Sequence, residues 1–188
     1  MKKFSSSFTG NIFIISCLMF QLNVVAQKKY SKSKLKKHKT EANSIIQENH
    51  KKTQVMIDKI FSFAELGFHE IESSKYLTKI LADSGFEISY GVSGIPTAWF
   101  AKWSNGKGPV IALGSDVDCI PKASQYPGVA YHKPIIEGAP GHGEGHNSGI
   151  PLNITAALAV QKIMKSNNLK GTLVLWPGIA EELVASKA

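Results

Sequence analysis

Two short apolar runs, Val110-Ile111-Ala112-Leu113 and Thr172 to Trp176, constrain the fold of this 188-residue chain more than any other feature. Each is too short for a helix and lies near turn-forming residues, the pattern of a strand buried in a sheet. The first is expected to be a central strand. Phe86, Ile88 and Tyr90 alternate as a further strand, and Ala98 to Trp103 is another, led towards Val110 by the turn Ser104-Asn105-Gly106-Lys107-Gly108. Around them, apolar residues recur at helical spacing: Met56, Ile60 and Phe63; then Tyr76, Leu77, Ile80 and Leu81, a stripe that stops at Gly85; then Leu152, Ala156, Val160 and Ile163. Helices alternating with strands predict an α/β architecture, with a central, mostly parallel sheet flanked by helices.

The acids follow the strands. Asp116 and Asp118 come directly after the first run, and Glu181-Glu182 shortly after the second. With the two runs parallel, both pairs emerge at the carboxyl edge of one sheet, where open α/β folds place their ligands. Carboxylates gathered there repel one another unless cations sit between them, and the sequence has no Arg to do this. Residues 119–149 form a long loop rich in Pro, Gly and His, and its stretch Gly138 to Gly149 carries His142, Glu144 and His146. A set of Glu, Asp and His donors suits zinc, manganese or cobalt. The plainer readings are a glycine-rich turn with solvated imidazoles, and an acidic pair stabilised by the positive end of a helix. No Gly-Lys-Ser/Thr follows to cradle phosphate, and Gly91-Val92-Ser93-Gly94 does not complete a nucleophile elbow.

The net charge of +8 is concentrated at one end. Residues 1–39 hold nine of the 22 Lys and no acid, which leaves 13 Lys against 14 acids in residues 40–188. A near-neutral body without Arg excludes a nucleic-acid-binding domain. Lys2-Lys3 and the apolar stretch through Val24-Val25-Ala26 predict a signal peptide over residues 1–26, hence a secreted or periplasmic protein. Ile14-Ile15-Ser16-Cys17 also resembles a lipoprotein box, which would anchor the chain to a membrane through Cys17. Residues 27–53, rich in Lys, Ser, Asn and Gln, predict a flexible linker, with a membrane-surface or polyanion contact as the alternative. After processing, Cys119 would be the sole cysteine, so stability rests on a core and not on a disulfide.

Four stretches carry a family resemblance: Phe63-Ala64-Glu65-Leu66-Gly67-Phe68-His69-Glu70, Gly114-Ser115-Asp116-Val117-Asp118-Cys119-Ile120-Pro121, the Gly141-to-Asn147 loop and Ala180-Glu181-Glu182. Their order and spacing resemble the metal-dependent amidohydrolase/peptidase family of aminoacylases, carboxypeptidases and aminobenzoyl-glutamate hydrolases. The chain looks most like the aminobenzoyl-glutamate utilisation branch, from about residue 54 onward.

That resemblance implies that residues 54–188 are the N-terminal part of a three-layer, zinc-peptidase-like catalytic domain without its lid or dimerisation domain. A homodimer is open only to a full-length protein. It implies two divalent metal ions, zinc first with manganese or cobalt as alternatives, and a small amide or peptide substrate. By matched position, Glu181 is the general base towards water, while Glu144, His146 and Glu182 are metal ligands. Glu144 stands where related amidohydrolases carry cysteine, and its harder oxygen favours manganese or cobalt. Asp116 has an orienting catalytic role, since the position two before it is Gly114 and not a polar residue. Asp118 and His142 are neighbours of the site, and His69 shapes a helix junction. Family members place further ligands after the Glu-Glu motif, whereas all six His here lie at or before position 146. The expectation is therefore an incomplete site, inactive alone. The alternatives are an enzyme completed by oligomerisation and a non-catalytic secreted remnant that binds a metal or ligand.

Overall fold

The computed structural model describes residues 30–183. The signal peptide, the Cys17 box and the first residues of the linker lie outside these. The chain divides into two compact units, Met1–Leu35 and Lys36–Ala188, and of the first only residues 30–35 are described. In chain order the elements are α1 (Lys32–Phe63), α2 (Ile71–Asp83), β1 (Glu87–Tyr90), β2 (Trp99–Ser104), β3 (Val110–Asp116), α3 (His146–Ser166) and β4 (Thr172–Gly178). Short 3-10 turns lie at Val92–Gly94 and Glu181–Leu183. No described helix is long and apolar enough to cross a membrane.

The sheet order is β1-β2-β4-β3. The α/β class holds, but the mostly parallel sheet does not: β1–β2 and β2–β4 are antiparallel, and only β3–β4 is parallel. The connections explain this. The short link from Tyr90 to Trp99 forces an antiparallel return, whereas β3 reaches β4 through the crossover helix α3. β4 is inserted between β2 and β3, so Thr172 to Trp176 is an inner strand, as is β2. The expectation that Val110 to Leu113 is buried and central fails, because β3 lies at the edge with Val110 67% and Ile111 50% exposed. Among the described residues, no strand pairs with its outer side.

Alternation in β2 buries Trp99, Ala101 and Trp103 and exposes Phe100, Lys102 and Ser104. The buried face, with Leu173 and Leu175 of β4, packs against Leu77 and Leu81 of α2 and Ile150, Ile154 and Ala157 of α3. The larger aliphatic side chains Leu77, Leu81, Ile150, Ile154 and Leu175 are wholly excluded from water, as are Ala101 and Ala157. Each of the larger side chains contributes roughly 1.5–3 kcal/mol through burial.

The expectation of a flexible linker over residues 27–53 fails from Lys32 onward, since α1 runs unbroken from Lys32 through residue 53. Ala42, Ile45, Asn49, Thr53, Met56 and Ile60 recur at intervals of three and four, with Ile46 beside Ile45, so one stripe faces inward while the Lys residues stay solvated. Ile45 packs with Ala159 and Ile163 of α3. The Thr53 and Thr155 hydroxyls share a buried hydrogen bond of 2.7 Å, and Met56 and Ile60 enter the main core. The stripe is diluted by polar residues between its members, so composition hides it.

Candidate metal centre

The site is built where two parallel strands end. Asp116 is the last residue of β3 and pairs in register with Gly178, the last of β4. Asp118 lies two residues past one strand, and the 3-10 turn starting at Glu181 begins just past the other. Between them comes α3, whose cap Gly145 has φ +93. That left-handed conformation suits glycine, and it turns the loop so that His146 begins the helix and Glu144 lies two residues before it.

His146 is the hub. Its Nδ1 lies 3.1 Å from the Asp118 carbonyl oxygen, which can only accept, so Nδ1 donates and Nε2 is the ring nitrogen left facing the cluster. Around Nε2 stand Glu144 Oε2 at 2.9 Å, Glu181 Oε2 at 3.8 Å and Asp116 Oδ2 at 3.9 Å. On the Nδ1 side lie Asp118 Oδ1 at 3.5 Å and Glu182 Oε1 at 3.6 Å. One donor atom from each of Glu144, His146, Glu181 and Glu182 falls within 4.8 Å of all the others. A nitrogen lone pair and a carboxylate oxygen 2.9 Å apart are reconciled only by a proton or a cation between them.

Two buried carboxylate oxygens here, Asp118 Oδ1 and Glu182 Oε1, have no hydrogen-bond partner. Burial and then the Glu144 carboxylate push the Glu182 carboxyl above its usual range. The other Asp118 oxygen, Oδ2, accepts the Glu182 backbone N–H at 2.9 Å, which ties the two acidic segments together. Buried oxygens without donors and several acids around one imidazole fit a divalent cation with oxygen and nitrogen donors.

The remaining sequence candidates sort by what they touch. His142 is not one of the clustered donors: its Nε2–H donates to the Ile60 carbonyl of α1 at 3.0 Å, and burial lowers its pKa. His69 lies exposed in the turn between α1 and α2, where its carbonyl accepts the Ile71 N–H at 2.8 Å. Gly114 has a physical reason to be glycine, since any side chain there would collide with the Trp176 ring. Cys119 is buried next to the acids. Burial, with the charges of Asp118, Glu65 and Glu182, pushes its thiol up to about 12. Two glutamates that the spacing of motifs did not single out are also engaged. Glu65 accepts the backbone N–H groups of Glu72 and Ser73 at 2.8 and 2.9 Å, capping α2. Glu70 is buried and bonded to residues 97 and 180. Their only trace in the sequence was membership of the Phe63-to-Glu70 stretch.

Fold and cluster together define a class: the chain is similar to metal-dependent amidohydrolases and peptidases. Solved structures with this fold include a dinuclear metal binding peptidase of the M20 family from Bacillus subtilis, with TM-score 0.56, 25% identity, and coverage of 74% of this chain and 38% of that one. A candidate aminohydrolase from methicillin resistant Staphylococcus aureus has TM-score 0.62 at 18% identity, covering 74% of this chain and 34% of its own. An aminobenzoyl-glutamate utilization protein from Klebsiella pneumoniae has TM-score 0.52 at 14% identity, covering 74% and 39%. No family model matches the chain. Among curated proteins it is similar to a subunit of p-aminobenzoyl-glutamate hydrolase from Escherichia coli (strain K12), 34% identical over 125 residues, 66% of this chain. The chain spans 26% of the length of that relative.

Proposed function

We propose that this chain carries part of the active site of a metal-dependent hydrolase that cleaves amide bonds in N-acyl amino acids or peptides. The observation that carries the reading is the convergence of Glu144, His146, Glu181 and Glu182 within 4.8 Å. In this reading Glu144, His146 through Nε2, and Glu182 hold metal, and Glu181 is the general base. Divalent ions, when bound, supply the positive charge that acidifies water and polarises the amide carbonyl. The Glu181 carboxylate takes the proton from the attacking water and delivers it to the leaving nitrogen. Asp116 and Asp118 orient the imidazole and the Glu181-Glu182 turn. The name of the Escherichia coli relative supports p-aminobenzoyl-glutamate as the first substrate to test. Zinc is the first metal, and the Glu144 oxygen supports manganese or cobalt as well.

Titration of the chain with Zn²⁺, Mn²⁺ and Co²⁺ by calorimetry tests the site. Stoichiometric binding is expected, and His146→Ala should weaken it by at least about tenfold. In protein that hydrolyses p-aminobenzoyl-glutamate, Glu181→Gln should retain metal and lower kcat roughly 10²–10⁴-fold. Undiminished turnover would remove Glu181 as the base, and absence of metal uptake would sink the reading. We also propose export, supported by the leader, with cleavage after Ala26 or lipidation of Cys17. Mass spectrometry of the mature N-terminus separates the two.

A further inference from the structure

Glu70 is an acid that the proposed chemistry does not use. It is 0% exposed, and both its carboxylate oxygens are engaged by neutral donors: the Ala180 N–H bonds Oε1 at 2.9 Å and the Thr97 hydroxyl bonds Oε2 at 3.0 Å. A carboxylate buried on neutral donors is costly, and an apolar side chain would fill the same volume without that penalty. What a carboxylate adds is a strong, charge-assisted acceptor for a backbone N–H. The peptide it grips lies 110 positions away in sequence and immediately precedes Glu181.

That peptide needs holding. Ala180 has φ +54, a left-handed conformation that costs a non-glycine residue on the order of 1–2 kcal/mol and persists where the surroundings impose it. Ala180 is itself fully buried, and Gly67 presses on it so closely that a Cβ at 67 would lie 2.9 Å from the Ala180 Cα and Cβ. One residue beyond the Ala180 bond comes Glu181, and then Glu182, whose N–H is gripped by Asp118. The turn is thus clamped at both ends by buried carboxylates, with Glu181 between the clamps. We infer that Glu70 is a positioning residue, which locks the left-handed turn at Ala180 and so aims Glu181 and Glu182 at His146. This gives the Phe63-to-Glu70 stretch a role: Glu65 caps α2, Gly67 admits Ala180, and Glu70 holds it. The inference rests on the metal-hydrolase reading for its consequence, but not for the geometry it asserts.

Amide hydrogen exchange on the metal-free full chain tests the geometry, with calorimetric Mn²⁺ titration as a second readout. Glu70→Ala should speed exchange at Ala180 to Leu183 by at least about tenfold relative to the core, because the Ala180 N–H loses its acceptor. Leu81→Ala, a core truncation on α2 that removes no hydrogen bond of the turn, should speed the core and leave that ratio unchanged. Glu70→Gln should fall between, since its amide carbonyl accepts the same N–H without charge. Mn²⁺ affinity should fall at least about tenfold in Glu70→Ala and stay within about threefold in Leu81→Ala. The inference is overturned if Glu70→Ala leaves the exchange ratio at the wild-type value, or if both alanine variants shift the turn and the metal affinity alike. Should Glu70→Ala fail to fold, Glu70→Gln decides, and wild-type exchange at Ala180 in that variant counts against the clamp. If the wild-type chain takes up no Mn²⁺, the metal reading falls while the exchange data still decide the clamp.

Discussion

Cys119 lies next in sequence to Asp118 and within the field of three acids, so at the residue scale it looks like a soft ligand in a hard site. The structure removes it from that role: the thiol is 1% exposed and is pushed up to about 12 by burial first and acidic neighbours second. At pH 8 only about one thiol in ten thousand is ionised there. Iodoacetamide labelling at Cys119, localised by mass spectrometry, should therefore be at least about 100-fold slower in the native chain than in urea. Glu70 makes a second prediction at this scale. Burial raises its carboxyl above the ordinary value of 4.5, so the folded state holds that proton more tightly than the unfolded state does. Its contribution to stability is full below about pH 4.5 and is lost as pH rises through the raised value. Urea midpoints of wild type and Glu70→Gln, compared at about pH 4.5 and about pH 7, should show the wild type losing ground as pH rises; a constant difference would count against this. Glu144, His146, Glu181 and Glu182 could be picked out from the sequence because their chemistry is uncommon in a glycine-rich loop and after an apolar strand. Glu70 could not be assigned a role that way, because its partners at 97 and 180 are neutral and distant in sequence.

At the scale of elements, β3 shows how the same apolar run can be read two ways. Val110 to Leu113 has the composition of an inner strand, yet it lies at the sheet edge with Val110 and Ile111 exposed. An apolar edge is a template for pairing with other chains. Val110→Lys should lower concentration-dependent association in light scattering while moving folding stability by no more than about 0.5 kcal/mol. The opposite sensitivity belongs to Gly114 in the same strand, where the Trp176 ring occupies the space of a side chain. Gly114→Ala should destabilise by about 1–3 kcal/mol in urea unfolding, since it forces the ring or the strand to move. Both strands at the site were visible in sequence as runs, and so were α2 and α3 as stripes. Which neighbour each strand takes was not visible. Pairing order depends on which connection crosses over a helix and which returns tightly, a choice that apolar spacing does not encode.

For the whole molecule, the boundary of the folded unit moves from residue 54 back to Lys36. Removing residues 1–53 would strip Ile45 from Ala159 and Ile163 and leave Thr155 without its Thr53 partner. That should cost about 3 kcal/mol, or roughly 5–10 °C in Tm by circular dichroism, whereas residues 36–188 should melt within about 2 °C of the full chain. Equal melting of both shortened chains would refute the packing assigned to α1. Sequence alone determined the helix and strand periods, the near-neutral body behind a basic N-terminal segment, and the acids and histidines able to bind a cation, because each follows from local chemistry or from spacing along the chain. The tertiary structure decided that a Lys-rich segment is a packed helix, that β4 and not β3 is inner, and that Glu70 grips the peptide before Glu181. These outcomes depend on groups far apart in sequence meeting in space, and only the closed fold brings them within hydrogen-bonding or van der Waals reach.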